Sequence, residues 1–441
     1  MVRTKYLIIG NSAGGIGAAE AIRQVDKAGH ITIVSDEPYP AYSRPLISKY
    51  LARECSLEKM LFRPADFYDQ NSIIPLLGRK VKRLAPDSHA AELDGGEEIV
   101  WEKLLLASGG VPIVPKMEGM NKKGVFTFTT LDDAKVIDRF LENADSVVVI
   151  GGGLIGVSAA EALRKRGLEV TVVEMKERVL NTILDDTASL IAEQTLKQAG
   201  VRIVTGHTVG RISGKGRVRE VALDNGERIP CDLVVVAIGV SPRAELASGT
   251  GIKMNRGIVV DWYMATSQPD VYSCGDVAEA YDIVYETNRL TPIWPAAYIG
   301  GRVAGYNMAG VKTEYAGGTA MNSLNYFGLD VTSAGMVTPP EGNKYEVITK
   351  QQNGVYKKVV LKDDLVTGMV FVGDIEKSGI VFNLMRDRVN VHDFKESLLT
   401  DDFGLVSFPQ KLRQEWLEMG GLELSAFVPA AEEAEEVIAS E

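Results

Sequence analysis

The chain has 441 residues, three cysteines and a formal net charge of −11. The length allows two or three domains with ample core, and the acidic balance argues against a nucleic-acid partner. Cys55, Cys231 and Cys274 form no close pair and no apolar run reaches about 18 residues, so a reducing cytoplasm is expected, with no disulfide framework and no membrane span.

The opening residues enter a strand at once, without a signal-peptide pattern. Leu7, Ile8 and Ile9, after Tyr6, read as a short buried parallel strand. The chain then turns through Gly10, Ser12, Ala13, Gly14 and Gly15 into an Ala-rich helix over 16–23. Strand, tight turn and helix aim free backbone N–H groups and a positive helix end at a pyrophosphate. The usual G-x-G-x-x-G fingerprint has Ser12 in its second glycine place, and the serine hydroxyl is a further donor to phosphate. Taken alone, the stretch also reads as a plain βα turn. A second strand, 30–35, leads to Asp36 and Glu37, where a nucleotide ribose is gripped. The segment PYPAYSRPLISKYL then brings Arg44 and Lys49 close behind the acids. Arg44 suits an adenine–phosphate moiety and Lys49 the reactive end of a flavin; spacing alone equally describes a solvated basic loop.

Residues 147–163, VVVIGGGLIGVSAAEAL, echo the first turn. Gly151, Gly153 and Gly156 are in full register, with Gly152, Leu154 and Ile155 between them. A strand over 169–173 ends in Glu174, at the distance where an acid takes the adenosine ribose hydroxyls. Two dinucleotide sites predict two dinucleotides, one of them a flavin. A carboxylate at Glu174 accepts the ribose 2′-OH and repels a 2′-phosphate, which predicts NADH over NADPH; Lys176 and Arg178 work the other way.

EPYPAYSRPLISKYL, residues 37–51, resembles the FAD-binding segment of the pyridine nucleotide-disulfide oxidoreductase superfamily. It is similar to the branch of ferredoxin and rubredoxin reductases, flavin-only NADH oxidases, apoptosis-inducing-factor-like proteins and the flavoprotein part of assimilatory nitrite reductases. The resemblance implies FAD contacts for Asp36, Arg44 and Lys49. Thiol-using members carry a redox cysteine where Tyr42-Ser43-Arg44 stands, and their oxidases and peroxidases carry a histidine where Ala13 stands. Cysteine chemistry needs a thiolate beside the flavin, and none is offered there; Cys55 falls in a polar segment, 52–60, read as helical. Many relatives carry Glu, paired with the flavin-side lysine, where this chain has Ser158. An unpaired Lys49 would stabilise an anionic reduced flavin more strongly.

Residues 81–93 and 98–106 read as strands around the DGGE turn, 94–97. The run LLLASGGVP resembles the family's return to the FAD, and the resemblance implies contacts for Val81, Ala107, Ser108 and Gly109. ELDGGEEIVWEKLLLASGGVP recurs as ALDNGERIPCDLVVVAIGVSP, ending the second unit at Gly239. The chain therefore holds a diverged duplication, one nucleotide unit per cofactor. A helix opening with Asp132 and Asp133 leads into the second unit. SQPDVYSCGDVAE resembles a second FAD signature, with Gly275 and Asp276 at the ribityl chain and Cys274 as a packed residue. A helix beginning near Pro295 is expected to point its N-terminus at the flavin pyrimidine, with Ile293 and Trp294 at that edge, although Trp294 also reads as plain core. From residue 315, short strands, an Asn353-Gly354 hairpin and a helix around 380–385 read as an α+β module. Tyr326 and Phe327 approach the isoalloxazine ring or form an aromatic core pair. The acidic tail reads as frayed.

The expected architecture is α/β. It comprises an FAD-binding domain over 1–114 and 243–317 and an NAD(H)-binding domain over 115–242, both Rossmann-like as in glutathione reductase. A C-terminal α+β interface domain, 318–441, is associated by the resemblance with a homodimer. The expected activity is hydride transfer between nicotinamide and flavin N5, with Lys49 as the catalytic group. Electrons are exchanged directly with a small iron–sulfur protein such as ferredoxin or rubredoxin. An NADH oxidase reducing O2 and a non-catalytic NADH-sensing flavoprotein are the alternatives. His30, His89, His207 and His392 are scattered and show no metal-ligand spacing.

Overall fold

The computed structural model describes residues 2–342 and 344–419, so the acidic tail lies outside the described residues. Three sheet units follow one another along the chain. In the first, Val2–Ile9 pairs in parallel with Ile31–Ser35 on one side and Glu98–Leu106 on the other, so that Leu7 lies opposite Thr32 and Leu104. Ile73–Leu77 extends one edge and Val271–Ser273 the other. Leu7, Ile8, Ile31, Ile33, Leu104 and Leu105 are fully buried. Covered on both faces, these strands read as unbroken apolar runs instead of alternating ones.

Helix Ala13–Val25 covers this sheet and lies along helix Trp294–Met308. The crossing is backbone to backbone. A Cβ on Gly301 would collide with the Gly14 carbonyl, and one on Gly305 with the carbonyl of Ala18. The small residues of both helices therefore let a segment made late in the chain close against the first glycine turn.

The expected single strand over 81–93 is broken. Val81–Ala85 and Ala90–Leu93 are separate, joined by a single turn at Pro86–Ser88 and by His89 at φ +52. Pro86 has no N–H for the ladder and fixes its own φ, so the strand cannot run through it. The expected helix over 52–60 is also absent. Helix Ile47–Leu51, which carries Lys49, is closed by Arg53 at φ +61, with the Glu54 N–H bonding back to the Lys49 carbonyl at 2.9 Å. Only one further turn, Glu58–Met60, follows.

The second unit repeats the plan of the first. Its parallel strands lie in the order Val201–Thr205, Glu169–Glu174, Ser146–Ile150, Leu233–Val236 and Val125–Thr127. Each unit also carries an antiparallel meander, Val209–Ser213, Glu220–Leu223 and Arg228–Pro230 in the second. Helix Leu131–Phe140 starts at a reciprocal cap between Thr130 and Asp133, as its acidic first turn predicted.

The third unit is an antiparallel sheet in the order Met321–Tyr326, Leu329–Gly335, Leu365–Val372, Val355–Lys362 and Glu346–Gln352. Asn353 and Gly354 take φ +51 and +80 at the tight hairpin. The sheet docks on the second unit through Asp185. One oxygen of that carboxylate accepts from Lys358 Nζ at 2.8 Å and from the Tyr356 hydroxyl at 2.7 Å. The other caps helix Asp186–Gln198 through the Ala188 N–H at 3.1 Å. Among the described residues no helix is long and apolar enough to cross a membrane.

Candidate dinucleotide sites

The two glycine turns have the same construction. Gly10 and Gly151 sit at φ +124 and +106, a region that favours glycine. A Cβ on Gly10 would collide with the Ala107 carbonyl, and one on Gly151 with the Ala237 carbonyl. Gly15 is pressed against the Gly10 carbonyl as Gly156 is against that of Gly151. The middle position differs. A Cβ on Gly153 would meet nothing within 4 Å, which leaves room before the helix for a ligand. Ser12 holds the matching place in the first unit, and its hydroxyl makes no capping bond, so it is free for a phosphate oxygen.

Around the first turn the structure gathers most of the predicted residues. The Ala107 N–H donates to the Ile9 carbonyl at 2.8 Å, and Ser108 Oγ to the Arg243 carbonyl at 2.7 Å. The Arg243 N–H returns to Gly109 at 2.9 Å, and its side chain donates to Asp36 Oδ2 at 2.7 Å. Val81 opens the meander beside a loop whose Gly78 N–H reaches the Glu37 carbonyl at 3.2 Å. A Cβ on Gly14 would come within 2.7 Å of Cys274 Sγ and 3.3 Å of the Ala297 carbonyl. Ala13 is buried, and Gly275 follows Cys274 at φ +74. Ile293 caps the helix that Trp294 begins, and Trp294 stands edge-on to Phe62 with ring centres 5.0 Å apart.

Glu37 is the hub of a charged cluster. It accepts from Arg44 and, at 2.6 Å, from the Tyr42 hydroxyl. That hydroxyl in turn accepts from the Leu131 N–H at 3.0 Å, and Arg44 donates to the Thr129 carbonyl at 3.2 Å. Burial is the main reason the Tyr42 phenol stays protonated far above its ordinary range, with Arg44 opposing and Glu37 adding. Burial also raises the Asp276 carboxyl against the pull of Arg44. No side chain donates to Asp276 among the described residues, which suits an acid awaiting ligand hydroxyls. Lys49 is exposed on its short helix.

In the second unit, buried Glu174 accepts from the Gly152 N–H at 2.6 Å and the Lys176 N–H at 2.8 Å. Each oxygen thus accepts one backbone N–H, which holds the carboxylate against the glycine turn. Arg178 is paired with Asp186 at 2.6 Å. Leu154 and Ile155 open helix Leu154–Lys165, half-buried. Gly239, at φ +118, accepts from the Ile113 N–H at 3.0 Å, tying the end of the second unit to that of the first. Ser158 Oγ lies 3.4 Å from the Tyr326 hydroxyl.

Sequence reasoning missed Arg243, the role of Tyr42, and the Gly301 and Gly305 contacts. Only the last had a visible signal, the small residues of YIGGRVAG. The three cysteines are unpaired with one another, Cys231 and Cys274 buried and Cys55 half-buried. Burial pushes the Cys231 and Cys274 thiols up to about 12. The glycine cradles, the Ser12 hydroxyl that caps no N–H and the Asp276 carboxyl, which has no side-chain donor among the described residues, fit an FAD in the first unit, and the open face of Gly153 with Glu174 fits a nicotinamide dinucleotide in the second.

This is the layout of an oxidoreductase with two dinucleotides in series. Residues 4–307 match the pyridine nucleotide-disulphide oxidoreductase family, and 321–389 the rubredoxin NAD+ reductase C-terminal domain. The chain belongs to the pyridine nucleotide-disulphide oxidoreductase family. It is 34% identical over 394 residues to the NADH-dependent phenylglyoxylate dehydrogenase subunit epsilon of Aromatoleum evansii, a match covering 88% of this chain and 93% of that protein. It is 31% identical over 391 residues to the assimilatory nitrate reductase electron transfer subunit of Bacillus subtilis, covering 88% of this chain and 50% of the relative, so it spans about half that protein's length. The covalent putidaredoxin reductase–putidaredoxin complex aligns with a TM-score of 0.83 at 26% identity, over 94% of this chain and 99% of that one.

Proposed function

We propose that the chain passes a hydride from NADH to FAD and exchanges electrons directly with a small iron–sulfur protein, without a protein disulfide. The observation that carries this reading is the Tyr42–Glu37–Arg44 cluster. By the resemblance, Tyr42-Ser43-Arg44 stands where thiol-using relatives hold a redox cysteine, and Tyr42 and Arg44 are both bonded to Glu37. The C-terminal match to a rubredoxin NAD+ reductase domain and the likeness to a reductase joined to putidaredoxin support a small electron-carrier partner.

Bound FAD supplies a hydride acceptor that releases electrons singly or in pairs. The chain's own part is binding, orientation and charge. The turn at 10–15, Asp36, Glu37, the 107–109 segment and Asp276 hold the flavin nucleotide. The turn at 151–156 and Glu174 hold NADH in preference to NADPH. Lys49 supplies a cation on the flavin's reactive side, with Ser158 in place of a carboxylate partner, and the N-terminus of helix Trp294–Met308 adds partial positive charge at the far edge. We assign the flavin to 1–114 with 243–317, the nicotinamide to 115–242, and a homodimer contact to 318–441.

Anaerobic titration of the FAD-loaded protein with NADH tests the reading. Bleaching complete at one NADH per flavin is expected, and uptake of a second equivalent would show a reducible disulfide. Reoxidation is then compared with ferredoxin, rubredoxin and air. Reoxidation fastest in air would mark an oxidase, and no turnover with any acceptor would mark a sensor.

A further inference from the structure

A hairpin tip of the C-terminal sheet reaches into the second nucleotide unit. Strands Met321–Tyr326 and Leu329–Gly335 are joined by Phe327 and Gly328, at φ +49 and +86. Asn-Gly suits such a turn, and a phenylalanine in its first place is strained. Strain of this kind persists only where the surroundings over-determine it. Here they do. The Phe327 N–H donates to Glu161 Oε1 at 2.9 Å, on the helix that begins at the glycine turn. Lys165 Nζ bonds Glu161 at 3.2 Å and Glu54 at 2.8 Å, and Glu54 closes the helix that carries Lys49. The hairpin tip, the glycine helix and the Lys49 helix are thus one connected frame.

The side chain this frame delivers is Tyr326. It is only 4% exposed, yet its hydroxyl has a single long contact, 3.4 Å to Ser158 Oγ. No other protein group bonds it among the described residues. Ser158 lies about one turn into helix Leu154–Lys165 and is half-buried. Burial pushes the Tyr326 phenol up to about 12, so it stays neutral, with its proton for Ser158 and its oxygen lone pairs for an amide N–H. The result is a pair of neutral hydroxyls, each able to donate and accept, set about one turn beyond the second cradle. A primary amide, with an acceptor oxygen and two donor hydrogens, is its chemical complement.

We propose that Tyr326, set against Ser158, positions the nicotinamide by bonding its carboxamide, so that the C-terminal sheet completes the hydride-transfer site. This rests on the function proposed above. The test uses FAD-loaded wild type, Tyr326→Phe and Ser158→Ala, with NADH and with the reduced 3-acetylpyridine dinucleotide, which lacks the amide nitrogen. Dissociation constants, the long-wavelength charge-transfer band and the anaerobic rate of flavin reduction are read together with FAD content and melting midpoint. Tyr326→Phe should bind NADH about tenfold more weakly, as for one lost hydrogen bond, with FAD content and midpoint kept. Wild type should prefer NADH to the acetylpyridine analogue, Tyr326→Phe should lose that preference, and Ser158→Ala should lose part of it.

An unchanged preference in Tyr326→Phe overturns the inference alone. So does a loss that comes with released FAD or a lowered midpoint while the analogue preference survives, since that is a packing role. A wild-type flavin that NADH fails to reduce overturns this inference and the proposed function together.

Discussion

Arg44 and Glu37 are ion-paired beside the first cradle, with the Tyr42 hydroxyl on the same carboxylate. Arg44 is also the cation that partly offsets the upward push of burial on the Asp276 carboxyl. Removing it takes away the ion-pair partner of Glu37 and the cation that opposes the burial of Asp276. Arg44→Ala is expected to weaken FAD retention about ten- to a hundredfold, the range for a lost charged hydrogen bond. The ratio of flavin to protein absorbance after gel filtration measures it. Full flavin occupancy in the variant would show that the cluster serves packing and not the cofactor.

The matched glycines separate the two sites. A methyl group on Gly15 or on Gly156 meets the carbonyl of the first glycine in its own turn. Gly15→Ala should purify colourless or nearly so. Gly156→Ala should remain yellow, keep its reduction by dithionite, and lose NADH affinity by at least about tenfold, given a backbone displacement of more than 1 kcal/mol. The reverse pattern would exchange the two assignments.

Cys55 is the half-buried thiol of the three; Cys231 and Cys274 are buried and held protonated. A thiolate is needed for sulfur to relay electrons. Cys55→Ser should therefore leave turnover with NADH and ferricyanide within about twofold of wild type, the size of an ordinary surface substitution. A collapse in turnover would place sulfur back in the electron path.

The Asp185–Lys358 pair joins the second and third units and carries its own pH signature. Burial alone would raise the Asp185 carboxyl, but Lys358, Tyr356 and the Ala188 N–H outweigh it and hold it below the usual carboxylate range. A depressed acid adds stability above its unfolded pKa, about 3.9, and that contribution is lost as pH falls through the folded value. Lys358→Met strands the buried carboxylate and should cost about 3 kcal/mol at neutral pH. The gap between variant and wild type should narrow below about pH 4, as Asp185 protonates in both. Denaturant unfolding at several pH values checks both the size and the narrowing.

Local chemistry explains what could be read in advance. Glycine turns, buried strands and the Asn353-Gly354 hairpin are written in neighbouring residues, so they were legible. Pro86 was equally local, and its break in the 81–93 strand was there to be seen. The contacts that tie the sites together are different. Arg243 lies far along the chain from Asp36, Tyr326 from Ser158, and Lys358 from Asp185. Such pairs leave no periodicity and no spacing, because each partner alone is an ordinary polar residue on an ordinary element. They exist only once the units have packed.

The first cradle is finished by parts made after the whole of the second unit. Val271–Ser273 completes its sheet, and Cys274 and Ala297 wall the turn at Gly14. The strands of the second unit, from Val125–Thr127 to Leu233–Val236, are all synthesised before them. During translation all strands of the second sheet therefore emerge while the first cradle still lacks a wall. A flavin is therefore expected to be enclosed by the first cradle only once Ala297 has been made.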